Sequence, residues 1–502
     1  MREFQKNLVT AWTDYAAGRI DAKALKGASA GFGIYQQRDD KAMMRIRRVG
    51  GLITTADLRN AAAILKAHDG GYAHLTTRQD IQLHGIPAAN VPAALEDCES
   101  KGFRFRGGGG DTFRNTRTSS FSGLHADSVF DVVPYARVLS DAFYAFDLAY
   151  GLPRKLKIGF ADRSGDAYIA QSNDLGFLAK TVNGQRVFET YLAGGVGFKP
   201  QLGLKLFDAL PAEDCIRVAM ALTALFNDKG CRTNRAHARI RFLREDLGDD
   251  GLVSLFHDYY AKTTDAPTAT PAPTEPPPVT IFPSDATPAD GFAIWKALAV
   301  SPLANGLAAI RVFVPFGNLT ADALVSFADA MDRFGETRFD ILPSLDFGLV
   351  VPESQIAGVH ATLAGLPDAD YVLRSFVGNV RTCIGCTVCK SGATDSPTVG
   401  RKVAEYFDAK YLPLNTPEKL AVAKVLLNDV SISGCPNSCT MQQLSPLGFS
   451  GRKLNGEDAE TAYTPGSVSP ASLGSADDSV ATIPLAAFPA HVEKAILSSL
   501  KD

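Results

Sequence analysis

Residues 45 to 58, RIRRVGGLITTADL, begin with alternating polar and apolar positions, turn at a Gly pair and continue behind a Thr as an amphipathic run. That pattern predicts a strand, a tight turn and a Thr-capped helix. Residues 311 to 324, RVFVPFGNLTADAL, repeat it without a gap. The same offset carries HLTTRQDIQLHGI (74 to 86) onto DILPSLDFGLVVP (340 to 352), which reads as a second strand in each copy. After a small shift NTRT (115 to 118) falls on NVRT (379 to 382), and IGFADRSGDAYIAQSNDLGF (158 to 177) on VSISGCPNSCTMQQLSPLGF (430 to 449). Blocks recurring in one order imply an internal duplication. Between the copies, from residue 261 to 290, the chain becomes Pro, Thr and Ala, a composition that cannot bury enough surface to pack and reads as a linker.

Length, charge and composition narrow the picture further. At 502 residues the chain exceeds one core, and two to four domains are expected. A net charge of -3 gives no bulk field directed at nucleic acid or an anionic membrane. No secretory apolar run opens the sequence and no eighteen apolar residues stand together, so a cytoplasmic protein is expected, with no membrane partner. In a reducing compartment, clustered cysteines point to metal or redox chemistry before disulfides.

The copies differ in a way that carries chemistry. Arg78, Arg114, Lys155 and Lys157 of the first copy stand opposite Ser344, Gly378, Leu427 and Asp429 of the second. Conversely, Cys383, Cys435 and Cys439 stand opposite Ser119, Arg163 and Ala167. One copy is suited to anions and the other to metal.

Cys383 and Cys389 form C-x5-C with Cys386 between them, and Cys435 and Cys439 form C-x3-C. Four thiolates from two loops suit an iron-sulfur cube, which needs one soft anionic ligand per iron. A structural zinc takes the same donors, and buried free thiols are the plain alternative. Gly385, Gly434, Pro436 and Asn437 favour metal, because turn residues expose N–H groups to sulfur. Spacing leaves open whether Cys386 is a bystander or a ligand in a C-x2-C-x2-C loop. Cys98, Cys215 and Cys231 are isolated and read as core residues.

Alternation places Arg45 with Arg47, Lys155 with Lys157, and Arg78 with Gln82 and His84 on common strand faces. Singly these are solvated faces; together they form a pocket for a multiply charged anion. GGGGDTF (107 to 113) lacks the Lys-Ser/Thr ending of a phosphate loop and reads as a flexible turn.

MRIRRVGG, HLTTRQDIQLHGI, RNTRT, LPRKLK, the C-x5-C pair and GCPNSC, in that order from about residue 34 to about 450, resemble the sulfite and nitrite reductases that carry sirohaem and a 4Fe-4S cluster. The resemblance implies an internally duplicated α+β fold in which two ferredoxin-like half-domains pair and two larger α/β lobes clasp the cofactors. The segments would be an N-terminal stretch (1–33), the first half-domain (34–105), the first lobe on the sirohaem side (106–262), the linker (263–290), the second half-domain (291–372) and the lobe on the iron-sulfur side (373–502). Cys383, Cys389, Cys435 and Cys439 would ligate the cluster, with Cys439 also on the sirohaem iron. Cys386 has no counterpart in the usual pattern. His74, Thr76, Arg78, Gln82, His84, Asn115 and Asn437 would hold the cofactors, His74 standing where some relatives have Arg. Arg45, Arg114, Lys155 and Lys157 would line the substrate face.

By the same resemblance the activity would be six-electron reduction of sulfite to sulfide, with nitrite to ammonia as the alternative. Relatives specialised for nitrite often carry Asn at the position of Lys157, which favours sulfite. No G-x-G-x-x-G follows a strand and no flavin domain is evident, so the electron donor would be ferredoxin or a separate flavoprotein. A cobalamin-pathway precorrin monooxygenase on the same scaffold, and a zinc-stapled binding module, are the readings from other classes.

Overall fold

The computed structural model describes residues 3–271, 290–333, 339–476 and 482–501. Most of the expected linker, residues 272–289, lies outside the described residues.

The first copy of the repeat builds an antiparallel sheet in the order Ile34–Gln36, Lys41–Ile46, Ile81–Pro87, Tyr72–Leu75. The second builds the same sheet from Val300–Pro302, Leu307–Val312, Phe347–Pro352 and Phe339–Ile341. Each sheet is completed by a strand from the other copy. Asn318–Leu319 pairs with His74 and Ala73, while Leu52–Ile53 pairs with Asp340 and Phe339. The exchanged strands occupy equivalent places in the repeat, just after the Gly turn, so the half-domains are related by a pseudo-twofold arrangement and share one hydrophobic core.

The predicted helix starts are present. Thr54 accepts from the Asp57 N–H at the head of Thr55–Ala67, and Thr320 accepts from the Ala323 N–H ahead of Ala321–Asp332. These two helices pack together, with Arg59 bridging to Asp329 at 2.7 Å. Before each lies a turn at positive φ, Gly50 and Gly51 in one copy and Phe316 and Gly317 in the other. A Cβ on Gly51 would stand 2.9 Å from the Ile341 carbonyl oxygen of the other copy, so this turn must be Gly for the halves to close.

One expectation is corrected. Residues 74 to 86 and 340 to 352 are each a hairpin, with turns at 76–80 and 342–346, where a single strand was expected. The first turn contains neither Gly nor Asn, and Gln79 supplies the positive φ of 63°. Thr76 closes it by accepting the Asp80 N–H at 3.0 Å.

The first lobe is a mixed sheet in the order Leu204–Pro211, Gln185–Leu192, Leu175–Val182, Ile158–Ala161, Arg117–Thr118, parallel over its last three strands and backed by Val133–Ala145, Cys215–Lys229 and Leu243–Lys262. The second lobe repeats the parallel part with Val430–Ser433 beside Leu447–Leu454, and Thr382 bridges Ile432 as Thr118 pairs with Phe160. Ser396–Tyr411, Pro417–Asn428 and Phe488–Ser499 cover it. The fold is therefore α+β and duplicated. Among the described residues no helix is long and apolar enough to cross a membrane.

Candidate active site

Register brings the first-copy candidates together. Arg45 and His74 both lie opposite Gln82, on neighbouring strands to either side of it, and Met43 and Tyr72 flank His84 in the next row of the same face. In the amide orientation that satisfies its neighbours, Gln82 accepts from Arg45 Nη2 and Nε at 2.8 and 2.9 Å and donates to His84 Nε2 at 2.9 Å. His84 therefore carries its proton on Nδ1, a buried atom without a partner among the described residues. Its ring stacks on Tyr72 at 5.0 Å. His74 Nδ1 contacts Asn318 Oδ1, on the exchanged strand, at 2.7 Å. Burial drives the pKa of His74 down to about 4 and that of His84 well below its ordinary value, so both rings are neutral.

Arg78 sits in the hairpin turn instead of on the strand, and reaches Asn115 O at 2.6 Å and Asn173 Oδ1 at 3.1 Å. Asn115 returns the contact to Arg78 O at 3.1 Å and to Arg48 O at 2.7 Å. The run 107–110, expected as a flexible turn, is packed: a Cβ on Gly109 would lie 2.3 Å from the Tyr35 hydroxyl and 2.4 Å from Ala30 O. Its carbonyls hold two of the candidate arginines, Gly108 O accepting from Arg45 Nη1 at 2.7 Å and Gly110 O from Arg114 Nη1 at 3.3 Å. Leu156 points into the lobe core between Lys155 and Lys157, leaving the two lysines together on the other side.

The pocket is crowded with cations and poor in carboxylates. Burial first, then neighbouring positive charge, lowers Arg78 to about 9, Arg114 to about 10 and Lys155 to about 7, and holds Lys157 well below its ordinary value. Arg239, Arg114 and Arg154 oppose a charge on Lys155, while Arg78, Lys155 and Arg239 oppose one on Lys157. Asp80 stands among Arg45, Arg78, Arg47 and Arg114, its pKa raised by its own burial. Asp174, fully buried, takes both oxygens to Arg239 Nη2 at 2.8 and 2.9 Å and accepts the Lys157 backbone N–H at 2.7 Å. The Nε atoms of Arg47, Arg78 and Arg117 and Nη1 of Arg241 are buried without partners among the described residues. Buried N–H groups left in this way are costly unless a ligand completes them.

The thiols converge from the other copy. Residues 381–383 lie along Val430–Ser433, with the Cys383 N–H on Ile432 O at 3.1 Å. Cys383 Sγ accepts the Gly434 N–H at 3.1 Å, and the Asn437 amide donates to Cys435 Sγ at 3.4 Å. Cys439 is pushed up to about 12 by burial and by the negative charges of Cys383, Cys435 and Cys389. The residue keeps accessible surface on a turn that is bonded to the opposite copy. Lys155 acts on Cys439 in the opposite sense, so the thiol of one copy lies within electrostatic reach of the cation pocket of the other. Thr77 Oγ1 also donates to Cys439 O at 2.7 Å across this boundary. Cys386 is not among the thiols that act on Cys435 and Cys439, and it contributes to the raised pKa of Lys453. Among the described residues no three His, Cys, Asp or Glu side chains converge closely enough to hold a single metal ion.

Several site residues were not picked out as sites from the sequence. Arg117, Arg239, Arg241, Asp80 and Asp174 are shown to be buried, and half-buried Thr77 to reach Cys439, only by the fold. The loop 193–203 carries a Gly-rich AGGVGFK run: the Gly197 carbonyl accepts from Gln443 Nε2 at 3.2 Å, beside the cysteine turn, and Arg241 Nε donates to Lys199 O at 3.0 Å. Cys98 and Cys215 are core residues as expected, whereas Cys231 is partly exposed.

A family model described as the nitrite/sulfite reductase ferredoxin-like half domain matches residues 35–101, and one described as the nitrite and sulphite reductase 4Fe-4S domain matches residues 109–263. The second match falls on the cation-bearing copy, not on the copy with the clustered thiols. Sulfite reductase (ferredoxin) of Mycobacterium tuberculosis is 25% identical over 462 residues, 87% of this chain and 78% of that protein. The chloroplastic ferredoxin-nitrite reductase of Spinacia oleracea is 24% identical over 443 residues, 84% and 68% of the two chains. The solved structure of the Mycobacterium tuberculosis NirA protein superposes with a TM-score of 0.77 at 22% identity, covering 98% of this chain and 92% of that one, a likeness of fold.

Proposed function

The chain belongs to the nitrite and sulfite reductase family, a family of oxidoreductases, and on that premise we propose that it reduces sulfite to sulfide with electrons from an external protein donor. The observation that carries the substrate choice is the pair Lys155 and Lys157 beside Arg114, within electrostatic reach of Cys439. Sulfite brings two negative charges and nitrite one, so each added cation favours sulfite more. The relatives are named for both substrates at nearly equal identity, so identity does not separate them.

The donor sets fit the two groups the family implies. Cys383, Cys389, Cys435 and Cys439 influence one another without meeting at one ion, which suits a cube with one thiolate per iron better than zinc. Partnerless N–H groups on Arg47, Arg78, Arg241 and His84 suit the carboxylates of sirohaem. In this reading His74, Thr76, Arg78, Gln82, His84 and Asn115 shape its seat, and Asn437 steadies Cys435. When bound, the two groups supply one-electron chemistry and a metal site for the substrate.

The residues of the chain do the rest. Arg45 and Arg114, held by glycine carbonyls, present fixed positive charge to the substrate oxygens, an arrangement that needs no reorganisation as charge develops. Lys155, with a pKa of about 7, is suited to yield a proton near neutral pH as oxygen leaves as water, and Lys157 stands beside it. Asp174 anchors Lys157 through its backbone, so the ammonium stays free for substrate. Ferredoxin, which the relatives' names give as their donor, is the proposed partner, and a separate flavoprotein is the alternative.

The test is direct. The purified protein is expected to contain iron, absorb strongly in the visible range and turn over sulfite with a higher kcat/KM than nitrite when given a chemical reductant. A colourless, iron-free protein would overturn the cofactor reading. A coloured protein that prefers nitrite would overturn the substrate alone.

A further inference from the structure

The cysteine turn 435–441 is gripped from the opposite copy at a point the mechanism above does not use. Arg117 lies on the edge strand of the first lobe, 2% exposed. Its Nη1 donates to Met441 Sδ at 2.9 Å and its Nη2 to the Tyr168 hydroxyl at 2.8 Å. The guanidinium carbon also stands 5.1 Å from the centre of the Tyr168 ring. Met441 is two residues past Cys439 and adopts φ of 60°, and Ser438, just before Cys439, adopts 58°. Two non-Gly residues in the left-handed region within four positions form a strained turn that its surroundings must hold.

Within the second lobe, Ser433, Thr440 and Gln442 secure the turn's base. The Ser433 and Thr440 hydroxyls are 2.8 Å apart, and Ser433 Oγ donates to Gln442 Oε1 at 2.7 Å. Those bonds fix the turn to its own lobe and say nothing about where Cys439 sits relative to Lys155 and Lys157, which belong to the other. Thr77 and Arg117 provide that reference, Thr77 at the Cys439 carbonyl and Arg117 at Met441. A guanidinium to thioether bond is weak for a charged donor, so burying Arg117 there without a carboxylate partner is not explained by stability.

We propose that Arg117 is a positioning residue, acting through Met441 and braced by Tyr168, that sets the location of Cys439 against the cation pocket. This inference rests on the reading of Cys439 as a ligand beside the substrate site. Its loss shifts the thiol without removing a ligand, so electronic signature and turnover change while metal content and substrate recognition do not.

The experiment compares the purified holoprotein with Arg117→Met, Arg117→Lys, Met441→Leu and the Arg117→Met/Met441→Leu double variant, measuring iron content, visible spectrum and steady-state kinetics with a chemical reductant. Arg117→Met is expected to keep its iron, shift its visible bands and lose about tenfold to a hundredfold in kcat, the scale of a misplacement of about 1 Å, with KM within about twofold. Met441→Leu, which leaves Arg117 and the fold in place, is expected to show the same shift, and the double variant no further loss than either single one. Arg117→Lys is expected to recover part of the spectrum, since an ammonium can reach one partner but not both. Wild-type bands and kcat in Met441→Leu, or additive losses in the double variant, would overturn the proposal even if Arg117→Met failed to fold. A wild-type protein without iron or colour would instead sink the functional reading on which it stands.

Discussion

Lys157→Asn is the sharpest test of the substrate assignment. Lys157 is half-buried, and its pKa is depressed first by burial and then by Arg78, Lys155 and Arg239. The pocket is short of negative charge, so an arriving anion is what makes a charged Lys157 favourable. For unit charges about 4 Å apart at an effective dielectric constant of about 20, the attraction is about 4 kcal/mol. A dianion doubles it. The free energy of charging Lys157 is common to both complexes and cancels when the two substrates are compared. Replacing Lys157 by Asn therefore removes up to about 4 kcal/mol more from sulfite than from nitrite. Water entering the shortened site raises the local dielectric, and if only a third of the term survives, about 1.4 kcal/mol, the discrimination still changes tenfold. The assay is kcat/KM for each substrate at one ionic strength, wild type against variant, with Lys157→Arg as the charge-preserving control. Equal losses on both substrates would refute the reasoning, because they would show that Lys157 acts through packing or proton supply and not through the charge of the anion.

Cys439→Ser is expected to lose both iron retention and turnover, read by iron analysis and the visible spectrum; an intact cluster with normal rates contradicts its assignment. Cys386→Ala is expected to retain full iron, because Cys386 is not among the thiols that act on Cys435 and Cys439 and its two backbone contacts, to Arg38 Nε at 2.8 Å and to Thr394 O at 2.9 Å, survive the change; lost iron makes it a ligand. Glu460 is fully buried on the last large sheet, bonded to Thr394 Oγ1 at 3.2 Å, and burial raises its pKa to about 8. Its folded pKa exceeds its unfolded value, so the native state binds the extra proton and this contribution to stability is lost as pH rises from about 4.5 through 8. Glu460→Gln is expected to flatten the fall of Tm over that window by an amount worth at least about 1 kcal/mol, and parallel Tm curves for the two proteins count against it.

The repeat was legible because it is written in local signals. Thr54 and Thr320 cap equivalent helices, and Gly51 and Gly317 occupy equivalent turns whose close contacts admit no side chain. The thiols were legible for a related reason, since small apolar packing does not call for cysteines bunched among turn residues, whereas a metal does. What could not be read was pairing at long range. Nothing in Leu52–Ile53 says that it will leave its own sheet for Phe339 and Asp340. Arg78 was assigned to a strand face because the turn around it lacks Gly, Asn or Pro, and Gln79 takes the left-handed conformation unannounced. Arg117, Arg239 and Arg241 sit at ordinary spacings, and an arginine on a surface and one buried with an orphaned N–H look alike in sequence.

The strand exchange also lets each copy support the candidate site residues of the other. Asn318 belongs to the second copy, yet it lies opposite His74 in the first sheet and holds the His74 ring, while Thr77 of the first copy holds the Cys439 carbonyl of the second. Each half thus contributes supports to the other's site. A free-standing copy would carry either cations with no thiol to face or thiols with no pocket to serve. The halves are locked together by shared sheets and one hydrophobic core, and the hairpin turn of the first half grips the loop that carries Cys439 in the second. The physical asymmetry of the site, charge on one side and sulfur on the other, therefore follows from the symmetry of the scaffold.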